Sequence, residues 1–179
     1  MKQPEIKNYL DVAIKAVRRG QEFLHENQQE MPKMVSREAK EVKIDLDFAL
    51  EKLILDELRE HSSWQTLSEE SGAQAGIGNP FWIVDPLDGS LNRLRGIPFN
   101  SISIALYDND EPILGVILDL NEGDLYCGSS ALGAWVNETP IHVSDVSAKA
   151  DAILCTGFPS SFDFDVGSIS RVASTCSDF

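Results

Sequence analysis

Trp82-Ile83-Val84-Asp85-Pro86-Leu87-Asp88-Gly89-Ser90 is an apolar run that stops at two carboxylates set three residues apart across a proline. Apolar residues without polar alternation predict a short buried strand over Phe81–Val84. Proline then fixes its own φ, and glycine permits a sharp exit from the turn. Asp85 and Asp88 are thereby able to point into one pocket, with the Leu87 carbonyl and the Gly89 and Ser90 amides beside them. Hard cations such as Mg²⁺ take oxygen ligands of this kind, often two carboxylates plus a substrate phosphate. An ordinary type I turn with proline at its second position satisfies the same local pattern.

Outward from this stretch, the spacing predicts a helix over residues 5–27, where Ile6, Leu10, Ala13, Val17 and Leu24 recur at helical period. Residues 28–40 are polar and contain Pro32, which reads as a loop or a weaker helix. A second amphipathic helix follows over 45–61, with Leu46, Leu50, Leu53, Ile54, Leu55 and Leu58 as its apolar stripe. Asp45 and Asp47 lie in its opening turn, where acidic groups complement the helix dipole. Thr66-Leu67-Ser68-Glu69-Glu70-Ser71-Gly72 reads as a loop bearing paired carboxylates. Beyond Pro80 the pattern is one of strands: Ser101–Tyr107, Ile113–Leu118 across the polar turn at 108–112, then Leu125–Cys127, Ala134–Val136 and Ile141–Val143. Helices followed by a strand meander predict an α+β fold, with the helices packed on one face of an antiparallel sheet. The serine-rich tail after Phe162 is a candidate helix.

The 179 residues suffice for one domain with a sizeable core. With 29 acidic and 15 basic residues the formal charge is −14, which opposes nucleic-acid binding because that needs lysine and arginine on phosphates. A small phosphorylated substrate stays compatible, since bound cations reverse the local field. Cys127, Cys155 and Cys176 have no metal-binding spacing and read as spectator thiols of a reducing compartment. His25, His61 and His142 match no ligand pattern. The N-terminus lacks a signal-peptide core, and no apolar run reaches membrane-spanning length, so the expectation is a cytoplasmic protein without a membrane partner.

Six blocks carry a resemblance along the whole chain. They are Lys43-Ile44-Asp45-Leu46-Asp47, the Glu69-Glu70 loop, Asp85-Pro86-Leu87-Asp88-Gly89-Ser90, Gly96-Ile97-Pro98-Phe99, Gly133-Ala134-Trp135-Val136-Asn137 and Thr156-Gly157-Phe158-Pro159. In this order and spacing the chain resembles the inositol monophosphatase family, its bacterial members above all. The resemblance implies the N-terminal part of that family's layered sandwich, as a catalytic domain over residues 1–150 and the start of a second domain over 151–179. It also implies a Mg²⁺-dependent phosphomonoesterase of small phosphorylated polyols, most simply myo-inositol monophosphate, and a possible homodimer. Relatives that use bisphosphonucleotides or fructose 1,6-bisphosphate share the Asp-Pro-Leu/Ile-Asp-Gly core. A non-catalytic binding module is the reading from a different class.

Residue by residue, the resemblance makes Glu69 a ligand of a first metal ion and the Leu87 carbonyl another. Asp85 bridges two ions, and Asp88 binds the second. Gly89 and Ser90 face the substrate phosphate, while Asp47 and the Ser90 hydroxyl orient the attacking water. The chain departs from the family in four places. Ser90 and Ile44 each stand where a threonine is usual. Ser36 stands for a lysine, with Arg37 or Lys40 as substitutes. The family's later Trp-Asp motif has no counterpart, because Trp64, Trp82 and Trp135 are followed by other residues. The expectation is therefore a chain cut short before that motif, with one face of its core left as an exposed apolar patch.

Overall fold

Pro4 sits in the first turn of α1 (Gln3–Glu26), where its missing N–H costs no helical bond, and the Glu5 carboxylate accepts from the Lys2 amide at 2.8 Å. The buried face of α1 runs from Ile6 to Leu24 and meets that of α2 (Asp45–His61), whose Leu50, Ile54 and Leu58 repeat every four residues and are fully enclosed. Gly20 marks the closest approach. A β-carbon there would lie 2.7 Å from Ile102 Cδ1 and 3.1 Å from Leu50 Cδ1, so the helix seats directly on sheet and neighbour. A computed structural model of the chain describes residues 1–27, 34–38, 41–73, 78–109, 111–153 and 165–177.

Both helices cover one face of an eight-stranded sheet. Its strands are β3 (Gln65–Ser68), β4 (Gly72–Ala73), β5 (Phe81–Asp88), β6 (Ser101–Asp108), β7 (Glu111–Asp119), β8 (Leu125–Ser129), β9 (Gly133–Val136) and β10 (Thr139–Pro140). Their spatial order is β10-β9-β8-β7-β6-β5-β3-β4, antiparallel throughout except where β3 pairs parallel with β5. The alternation read in β6 is the one observed: Ile102, Ile104 and Leu106 point to the helices, and Ser101, Ser103 and Ala105 point away. Trp82, the largest fully buried side chain, packs with Tyr9 and Trp64 at centroid distances of 6.3 and 6.1 Å. Its indole N–H is satisfied by Ser62 Oγ at 2.9 Å.

Three local expectations are corrected. Within 28–40 the structure has a strand, β1 (Met34–Glu38), paired with β2 (Glu41–Ile44) in a two-stranded ribbon. The loop before Glu69 contains β3, whose inward residues are Thr66 and Ser68 rather than apolar ones. Residues 141–143 are not a strand. Ile141 N still reaches Ala134 O at 2.9 Å, but Val143 is 94% exposed and has no sheet to cover.

The chain divides into two compact units, Met1–Arg37 with Val42–Ile141, and Glu38–Glu41 with His142–Phe179. In the second, α4 (Val166–Ser177) realises the helix expected of the serine-rich tail. Asp165 caps it by accepting from the Ser168 amide at 2.6 Å. In the first, the sheet face turned away from α1 and α2 carries an apolar groove of about 410 Å³ lined by Ala105, Gly115, Ile117, Tyr126, Trp135 and Ile141 among others. Ile117 there is 47% exposed.

α1 and α2 are also clamped by charge. The side chain of Glu57 is 0% exposed and holds Lys15 Nζ at 2.6 Å, the Arg19 guanidinium, and His61 Nε2 at 3.2 Å. Burial opposes ionisation of Glu57, but the hydrogen bonds from Lys15 and Arg19 outweigh it and hold the carboxyl below its usual range. Glu57→Gln is expected to lower stability by about 1–3 kcal/mol, since Lys15 and Arg19 are half-exposed and water recovers part of the loss. Chemical denaturation at neutral pH measures it, and an unchanged midpoint would show that the clamp is energetically idle.

Candidate metal and phosphate site

β5 does not stop at Val84 but continues through Asp85-Pro86-Leu87-Asp88, with an irregularity in its pairing to β6 between Asp85 and Asp88. That bulge re-aims the strand end, as bulges beside functional sites do. The Asp85 carboxylate turns back on its own loop and accepts from the Leu87 amide at 3.2 Å. The parallel partner β3 ends level with Val84, and Glu69 N donates to Val84 O at 3.2 Å, so Glu69 leaves the sheet beside Asp85.

Electrostatics report that proximity. The Asp85 carboxyl is pushed up to about 7 by burial first, then by the charge of Glu69 and a hydrogen bond to it, then by the charge of Asp88; the Leu87 amide opposes. Three carboxylates converging with no cation among the described residues to balance them make a donor set that suits a hard divalent ion. The set is open rather than closed. Among the described residues, the one acidic or histidine trio with ligand atoms all within 4.8 Å of one another is Glu57, Glu60 and His61. In that trio Glu57 already holds Lys15 and Arg19.

Asp47 comes to the same place from α2. It is 1% exposed, and Ser90 Oγ lies 3.1 Å from its Oδ1 and 2.9 Å from the Leu87 carbonyl oxygen. A hydroxyl has one proton, so Ser90 donates to one of these oxygens at a time. The contact joins residues 43 positions apart and ties α2 to the carboxylate loop. Gly89 enters α3 (Ser90–Leu94) at φ 86°, in the left-handed region, and a β-carbon there would stand 2.6 Å from the Phe99 carbonyl oxygen. Gly89→Ala is therefore expected to cost about 3 kcal/mol, left-handed strain plus displacement of the 97–100 loop. Thermal unfolding tests this, and a loss below about 1 kcal/mol would contradict it.

The structure thus brings together Asp47, Glu69, Asp85, Leu87, Gly89 and Ser90, with Asp88 exposed at the rim. The side chain of Arg93, in α3, makes no hydrogen bond or ion pair among the described residues; its Nε is buried without a partner, and burial lowers its pKa. Side chains over 34–45, hence those of Ser36, Arg37, Ile44 and Asp45, lie outside what is described, as do Lys40 and Thr156-Gly157-Phe158-Pro159. Sequence reasoning missed that Ser101 and Asp119 stand next to Asp88 across the sheet. Only the register of β5, β6 and β7 carries that signal, and no local pattern in the sequence specifies it.

The family model described as "Inositol monophosphatase family" matches residues 5–169. The protein named Nus factor SuhB of Xylella fastidiosa is 36% identical over 155 residues, covering 85% of this chain and 56% of that protein. A fructose-1,6-bisphosphatase/inositol-1-monophosphatase of Aquifex aeolicus is 33% identical over 165 residues, 87% of this chain and 60% of its own. Among solved structures, the extragenic suppressor protein suhB of Bartonella henselae superposes with a TM-score of 0.72 at 29% identity, over 78% of this chain and 55% of that one. The chain thus spans a little over half the length of the relatives it matches.

Proposed function

The chain belongs to the inositol monophosphatase family, and from that premise we propose that it serves Mg²⁺-dependent hydrolysis of a small phosphate monoester, myo-inositol monophosphate being the simplest substrate. The observation that carries the reading is the Ser90 hydroxyl, set between Asp47 of α2 and the Leu87 carbonyl of the carboxylate loop. Glu69, Asp85, Asp88 and the Leu87 carbonyl are the residues that would hold Mg²⁺. Bound there, it would supply a water of lowered pKa and positive charge for the phosphoryl oxygens.

The chain's own residues do the rest. Asp47, buried and hydrogen-bonded by Ser90, takes the proton of the attacking water and fixes its direction. Donation by Ser90 to Asp47 leaves the Leu87 carbonyl free to face a cation. The Gly89 and Ser90 amides open α3 and face the phosphate oxygens. Water oxygen bonds to phosphorus, the ester P–O bond breaks, the leaving alkoxide takes a proton from solvent water and Asp47 returns its own to solvent, with no covalent enzyme intermediate. We further place the protein in the cytoplasm as a homodimer, with residues 151–179 opening a second domain. No helix among the described residues is long and apolar enough to cross a membrane.

The Aquifex relative's name couples two substrates, so a sugar bisphosphate or a bisphosphonucleotide remains the alternative class. A non-catalytic binding module is the contrasting reading. Phosphate release from myo-inositol 1-phosphate and from fructose 1,6-bisphosphate, with Mg²⁺ and with chelator, separates these readings. No Mg²⁺-dependent release from any phosphate monoester, together with no Mg²⁺-dependent phosphate binding by the folded chain, would refute the proposal.

A further inference from the structure

Asp47 and Glu51 stand one turn apart on α2, about 6 Å along its axis and on the same face. Each reaches a different loop of the carboxylate site. Asp47 meets Ser90 Oγ at 3.1 Å, on the loop that carries Asp85 and Asp88. Glu51 meets the tip between β3 and β4, which carries Glu69. Its Oε1 accepts from the Ser71 amide at 3.0 Å and from Ser71 Oγ at 2.9 Å. One helix face thus holds both loops whose side chains converge at the site.

The hold on Ser71 is strong for a physical reason. Glu51 is only 7% exposed, and a carboxylate so enclosed is costly unless its oxygens are hydrogen-bonded. Among the described residues, both hydrogen bonds to it come from Ser71. Displacing the tip would leave a buried charge without a donor, so the tip stays where Ser71 is held. Bonds to an ionised acceptor are also about twice as strong as neutral ones.

Backbone pairing alone holds this tip lightly. Glu69 N donates to Val84 O at 3.2 Å, and β4 pairs with β3 only through Ala73 with Leu67 and Gly72 with Ser68. Gly72 turns the chain at φ 71°, and nothing lies within 4 Å of where its β-carbon would stand. Steric contact therefore does not restrain the exit from the turn. Glu69 is exposed, so packing of its own side chain does not set its direction.

We propose that Glu51 is a positioning residue for the metal site: by holding Ser71 it fixes the tip of the β3–β4 turn, and with it the place of Glu69 beside Asp85. The inference rests on the phosphatase reading above and concerns a residue that touches neither metal nor substrate. Its consequence is metal affinity. A ligand on a loose loop must be ordered when the cation arrives, which subtracts from binding, whereas a ligand already in place binds at no such cost.

Isothermal titration calorimetry of the full chain with Mg²⁺ alone tests this. Glu51→Ala is expected to weaken Mg²⁺ binding about tenfold to a hundredfold, the range for residues that orient metal ligands. Glu51→Gln should stay within about threefold of the parent, because its amide oxygen accepts from the same two donors. Ser71→Ala, at an exposed position that leaves the core alone, should lose about fivefold, one hydrogen bond of the pair. It should lose nothing further when residue 51 is already alanine. Glu57→Gln destabilises the same helix without touching the tip and should leave Mg²⁺ affinity unchanged. Amide hydrogen exchange of the metal-free chain adds a local reading: in Glu51→Ala the Ser71 N–H should exchange faster while those of β6 do not. Should Glu51→Ala not fold, Ser71→Ala carries the test. A loss in Glu51→Gln as large as in Glu51→Ala overturns the proposal, as does an equal loss in Glu57→Gln. Saturable Mg²⁺ binding by the parent that is indifferent to both Glu51→Ala and Ser71→Ala overturns this role and leaves the metal site standing. No saturable Mg²⁺ binding by the parent removes the metal site and this role with it.

Discussion

Asp85→Asn is expected to cut Mg²⁺-dependent phosphate release by about a hundredfold or more while raising the stability of the metal-free chain. The two effects have one cause. Asp85 is partly buried at the end of β5 and faces the charges of Glu69 and Asp88, which lifts its pKa to about 7. Keeping it ionised in the folded state therefore works against folding, by at most about 4 kcal/mol for a lift of some three pKa units. An amide of the same shape still accepts from the Leu87 N–H but carries no charge. A gain of about 1–2 kcal/mol at pH 8 is the expected remainder once the amide's own burial is counted. Loss of activity with loss of stability would mean that Asp85 is structural and that the carboxylate cluster is not a strained ligand set. Activity kept in full would remove Asp85 from the site. Both quantities come from the same preparation, one by phosphate release and one by urea denaturation without Mg²⁺.

Such a compromise is what distinguishes a site from its surroundings in a sequence. The legible parts of the fold are those in which every local signal agrees. α1 and α2 repeat their apolar residues at helical period, and β6 alternates between Ile102, Ile104, Leu106 and smaller outward residues. β3 was illegible because its buried residues, Thr66 and Ser68, are polar, and its parallel pairing with β5 is made by tertiary structure, not by a local turn. The apolar residues of 141–143 imitate a strand, yet Val143 stands in solvent because sheet pairing has ended at β10. Asp85 and Asp88 could be read from one turn. The Asp47–Ser90 contact spans 43 residues, so only resemblance suggested it and only the fold brings it about. The Asp88–Ser101–Asp119 row needs three strands in register, which no local pattern specifies.

The pH dependence of Mg²⁺ stabilisation is the second large effect, and its sign follows from two groups. Asp85 has a folded pKa near 7, above its unfolded value, so the folded state holds the extra proton between about pH 4 and 7. Its contribution is therefore most favourable below the unfolded pKa and declines as pH rises toward 7. Glu57 has a folded pKa below its unfolded one; its contribution is present above the unfolded value and is lost as pH falls through the folded value. From these two groups, metal-free stability should peak near pH 4, weakening to the acid side through Glu57 and toward neutrality through Asp85. A cation held by Asp85 requires the ionised carboxylate and so competes with that proton. Mg²⁺ should accordingly add little at pH 5 and its full amount at pH 8, about 2.7 kcal/mol when present at a hundredfold its dissociation constant. For a chain of this size that is a rise of several degrees in Tm. Thermal unfolding at pH 5, 6.5 and 8, with Mg²⁺ and with chelator, gives the comparison. In Asp85→Asn the decline between pH 5 and 7 should disappear along with most of the Mg²⁺ effect, whereas in Glu57→Gln both should persist. A Mg²⁺ effect equal at all three pH values would place the cation away from Asp85.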